Sequence, residues 1–84
     1  MSYALIQKMD PSKIYALPQH INQHGELVIY THDFAQLMGM TLREVEVARI
    51  RLVYGMFMDL NDINLFVPKT ILLKEALCIA EGME

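Results

Sequence analysis

The sequence predicts a small α+β fold: a β-hairpin at about 13–30, two helices joined by a tight turn, a short third strand at about 63–67 and a C-terminal helix at about 69–81. Three observations predict it. The segments KIYALPQHI and ELVIYT are rich in β-formers and flank Asn22-Gln23-His24-Gly25, a run suited to a turn ending in glycine. Gly39, a helix stop, stands two residues before Thr41-Leu42-Arg43-Glu44, a helix start. Near the C-terminus, residues 70–81 read TILLKEALCIAE, apolar enough to be a packed helix.

The elements follow in order. Asp10-Pro11-Ser12 reads as a turn. The hairpin strands are expected near 13–17 and 26–30, with Pro18 placing the first at an edge or ending it. Thr31 is the expected cap of the next helix, with Asp33 favourable in its first turn. Phe34, Leu37 and Met38 give that helix a short apolar face at i, i+3, i+4. Thr41 and Glu44 have capping-box spacing, so a second helix starts at Leu42 and runs to about Tyr54, before Gly55. INLFVP reads as the third strand, closed by Pro68. In the last helix only Lys74, Glu75 and Glu81 mark a polar strip. A helix that apolar needs cover on more than one side. Leu72, Leu73, Ala76, Leu77, Ile79 and Ala80 are therefore the expected dimer seam.

A chain of 84 residues is read as one domain, 1–84. Apolar residues make up 54% of it and charged residues 20%, a surplus that points to a homodimer or a protein partner. No apolar run approaches the roughly 20 residues of a membrane span, and no signal peptide is visible. A single cysteine, Cys78, excludes an intramolecular disulfide, fits a reducing cytoplasm and reads as a small apolar filler. His20, His24, His32, Asp33 and Cys78 form no tight metal-ligand motif. No nucleophile–base pair or phosphate-cradling loop is present, so no enzyme, cofactor or small-molecule substrate is expected.

Residues 31–50 resemble the helix-turn-helix pattern of prokaryotic and phage regulators. The resemblance rests on apolar Phe34, small Ala35 where two helices cross, apolar Met38, the turn glycine Gly39, and apolar Met40, Val45 and Ala48. It covers about a quarter of the chain, and the flanking strands suggest a winged or excisionase-like variant. It implies a dimeric, sequence-specific DNA-binding transcriptional regulator of phage or mobile-element type, acting on a duplex operator. The second helix would enter the major groove. Carried over position by position, the DNA contacts would be Thr41, Leu42, Arg43, Glu46 and Val47.

Three features depart from a DNA-reading face. Net charge is −3, whereas phosphate-binding domains are usually basic, although Arg43, Arg49 and Arg51 are clustered. Glu46 repels phosphate, and on an ideal helix Val47, Ile50 and Tyr54 form a second apolar stripe beside Leu42, Val45, Ala48 and Leu52. That stripe suits a protein partner. The alternative is thus an antirepressor or inhibitor that binds a transcription factor or another host or phage protein through Val47, Ile50 and Tyr54.

Overall fold

The computed structural model describes residues 10–55 and 65–82. It is an α+β fold with a three-stranded antiparallel sheet and a C-terminal helix. The described residues open on α1 (Pro11–Tyr15), not on a strand. Asp10 caps this helix, its Oδ1 accepting from the Ser12 amide at 3.0 Å, and Pro11 occupies the first turn, where a missing N–H does no harm. The strand expected at 13–17 is therefore wrong: the cap and the proline outweigh the β-preference of Ile14 and Tyr15. Ile14 is fully buried from this helix.

After Pro18 come β1 (Gln19–Ile21) and β2 (Leu27–Tyr30), antiparallel, with His20 opposite Val28. Asn22 shapes the turn between them. Its Oδ1 accepts from the amides of His24 and Glu26, both at 2.9 Å, while Gly25 takes φ +77°. The third strand, β3 (Thr70–Leu72), pairs with β2, Ile29 facing Ile71, so the order is β1-β2-β3. It lies beyond Pro68, not at 63–67. Residues 65–67 are outside any strand, and 63–64 lie outside the described residues. Pro68 and Lys69 instead turn their carbonyls to Thr31, which donates its Oγ1–H to Pro68 (2.7 Å) and its amide to Lys69 (2.9 Å).

That contact also corrects the role of Thr31. It is the first residue of α2 (Thr31–Met38), buried, with Tyr30 as the cap residue. Helix α2 buries Phe34 and Ala35 and closes on Gly39 at φ +68°. The Met40 amide reaches Ala35 O (2.9 Å) and the Gly39 amide Gln36 O (3.3 Å), the paired bonds of a Schellman ending. Met40 and Thr41 complete the turn into α3 (Leu42–Ala48). Both halves of the capping box form: Glu44 N donates to Thr41 Oγ1 (3.1 Å) and Thr41 N to Glu44 Oε1 (2.8 Å). Past Ala48 the helix widens into a π-helical segment, Arg49–Val53, and Gly55 follows at φ +66°.

Helix α4 (Leu73–Gly82) begins later than expected because β-branched Thr70 and Ile71 are spent on the sheet. It packs against α1, β2, β3 and the π-helical segment. Ile14, Ile29, Phe34, Val45, Ile71, Ala76 and Ile79 form the core around it. This corrects the expected dimer seam. Leu73, Ala76, Ile79 and Ala80 are buried within the single chain, and Leu72 belongs to β3. The helix is apolar almost all round because it is central, so its composition no longer argues for a second copy on that face. Only Leu72 and Leu77 of the six remain half-buried. Among the described residues no helix is long and apolar enough to cross a membrane.

Candidate functional site

The turn at Gly39 and the capping box fix the start of α3, and with it an outward face. Thr41, Leu42 and Arg43 are exposed there, and Val47 is half-buried one turn on. Arg43, Glu44, Val47, Arg51 and Leu52 line an open groove of about 470 Å³ that reaches the end of α4. Gly82 lets α4 come this close: a Cβ there would sit 2.8 Å from Leu52 Cδ1. Glu44 lines the groove, but one of its oxygens is held in the capping box. The Thr41 amide, and then the Thr41 hydroxyl, keep its carboxyl below the ordinary value of 4.5.

Glu46 does not share this face. It is 6% exposed and gripped by Arg49, Nε to Oε1 at 2.8 Å and Nη2 to Oε2 at 2.7 Å. Arg49 Nη1 also reaches Glu75 Oε1 on α4 at 3.5 Å. Tyr54 Oη accepts from Arg49 Nη1 (3.2 Å) and donates to Glu75 Oε2 (3.1 Å), its ring centroid 5.3 Å from the guanidinium carbon. The hydrogen bonds to Glu46, opposed by burial and helped by the charges of Glu46 and Glu75, hold the Arg49 pKa above its ordinary value. Among the described residues no buried side-chain nitrogen or oxygen lacks a partner.

The apolar stripe of Val47, Ile50 and Tyr54 is not assembled as ideal helix spacing implies. Val47 and Ile50 are half-buried, and Tyr54, 56% exposed, turns its hydroxyl into the Arg49–Glu75 cluster. Tyr54 is the member of the stripe that follows the π-helical segment. A wider turn at Arg49–Val53 shifts every later residue relative to α spacing. In the companion stripe Val45 and Ala48 are core, while Leu42 and Leu52 are 42% and 40% exposed. Arg51 joins the groove, which its spacing of four from Val47 and eight from Arg43 allows. The partnership of Glu75 with Arg49 had no local signal, being 26 residues distant.

Elsewhere the chemistry is spare. His20 packs its ring on Tyr30, centroids 4.6 Å apart. Cys78 is exposed, not a core filler, and its Sγ lies 3.9 Å from Leu52 O. Among the described residues no group of three or more His, Cys, Asp or Glu side chains converges as a metal site would require. Comparison of the chain with protein-family models, with curated proteins and with solved structures finds no match.

Proposed function

We propose that the protein is a small sequence-specific DNA-binding regulator of the helix-turn-helix kind, presenting the start and outer face of α3 to duplex DNA. The single observation that carries this reading is the burial of Glu46 on Arg49. In the sequence Glu46 was the residue least suited to a phosphate-lined groove. Its charge is now neutralised away from the surface, and the outward side chains are Thr41, Leu42, Arg43, Val47 and Arg51, with Glu44 tied back to Thr41. Two arginines can meet phosphates or guanine edges, Thr41 a phosphate, and Leu42 and Val47 a thymine methyl group. The overall charge of −3 keeps nonspecific affinity low, so discrimination rests on this face. Selection from a random duplex pool at low salt tests the reading. Enrichment of one sequence, with binding weakened by Arg43→Ala, is expected; no enrichment contradicts it.

A second reading, a protein-binding antirepressor or inhibitor, draws on the exposure of Tyr54 and the half-burial of Val47 and Ile50. It expects Ile50→Glu to abolish capture of a protein partner while DNA selection yields nothing.

A further inference from the structure

Away from α3, a second groove of about 520 Å³ lies where α1, the hairpin and the β3–α4 junction meet. Tyr15, Leu27, Leu72 and Leu77 supply its apolar wall, and Glu26 and Lys74 its charges. Tyr15 is 53% and Leu27 45% exposed, a large apolar area left open beside the full core. Among the described residues Lys74, which is exposed, forms no ion pair, and the Glu26 carboxylate accepts only from Asn22 Nδ2, at 3.4 Å.

We propose that this groove is the contact between two copies of the chain related by a two-fold axis. A patch that holds apolar side chains with one acid and one base can meet its own copy with opposite charges in contact. The two-fold operation sets each Lys74 against the other copy's Glu26, and brings Leu27, Leu72, Leu77 and Tyr15 of the two copies together. Opposite charges across such a contact set register and partner choice more than affinity, which comes from the apolar side chains. No residue lines both this groove and the one beside α3, so a dimer formed here leaves both α3 faces open. The inference stands apart from the DNA reading, because oligomeric state is measured without DNA.

Sedimentation of the full chain tests it. The wild type is expected to run as a dimer. Leu27→Glu and Lys74→Glu, both at exposed positions, are each expected to weaken the dimer by about tenfold or more, with unchanged circular dichroism. Glu26→Lys is expected to do the same, and mixing it with Lys74→Glu to restore a heterodimer, since both cross-contacts then pair opposite charges. A wild-type monomer throughout the concentration range overturns the proposal. So does a dimer indifferent to Leu27→Glu and to both charge reversals.

Discussion

Arg49 holds Glu46 through two parallel hydrogen bonds, 2.8 and 2.7 Å long, on the inward side of the helix whose outer side carries Arg43 and Arg51. This pairing decides the charge of the surface beside it. The carboxylate that would repel phosphate is turned inward and matched, and the same guanidinium ties the end of the helix to Glu75.

Removing Arg49 leaves two largely buried carboxylates without their cation. Arg49→Met is expected to destabilise the fold by about 3 kcal/mol, at the low end for a broken buried pair because Arg49 is 21% exposed. Adding Glu46→Gln recovers part of the loss, since it removes one of the stranded charges. Urea denaturation of the single and double variants checks both. A double variant no more stable than Arg49→Met contradicts the pairing as the source of the loss.

Gly39 holds a left-handed backbone, φ +68°, with nothing within 4 Å of where a Cβ would stand. Strain in Gly39→Ala is therefore purely conformational, about 1–2 kcal/mol, and Asn is expected to be tolerated better. Thermal unfolding ranks the variants. Ala as stable as Gly removes the argument that this turn requires its conformation.

The Thr41–Glu44 capping box gives the stability a defined pH dependence. Thr41→Ala costs about 1 kcal/mol at neutral pH. The Glu44 carboxyl lies below 4.5 in the folded chain because the charged form accepts from Thr41. A lowered folded pKa means the unfolded chain takes up the proton first. The contribution is thus complete above about 4.5 and fades as pH falls through the folded value. Glu44→Gln is expected to flatten that limb of the stability–pH curve. An unchanged limb assigns it to other carboxyls, Asp10 foremost, which is lowered by the Ser12 amide.

What was legible in the sequence was local chemistry. Gly39, Thr41 and Glu44 act within a few residues of one another, and the structure has them in the expected roles. Asn22 to Gly25 likewise make the hairpin turn. Asp10-Pro11-Ser12 reads as a turn but caps a helix, because the two uses share their residue types. The third strand lies later than its sequence signal because Thr70-Ile71-Leu72 is continuous with a helical run, and pairing with Val28, Ile29 and Tyr30 of β2 makes it a strand. The Arg49 guanidinium that holds Glu46 also meets Glu75 and Tyr54, a long-range cluster beside a π-helical segment that no spacing rule foresees.

The central claim, that the outer face of α3 meets duplex DNA, is tested most directly by the salt dependence of binding to a selected duplex. Arg51→Ala and Lys13→Ala remove the same charge, one from the groove beside α3 and one from exposed α1. The account expects Arg51→Ala to reduce the slope of log K against log salt by about 0.9, the value for one phosphate contact, and Lys13→Ala to leave it unchanged. Equal slopes for both variants and the wild type would contradict it.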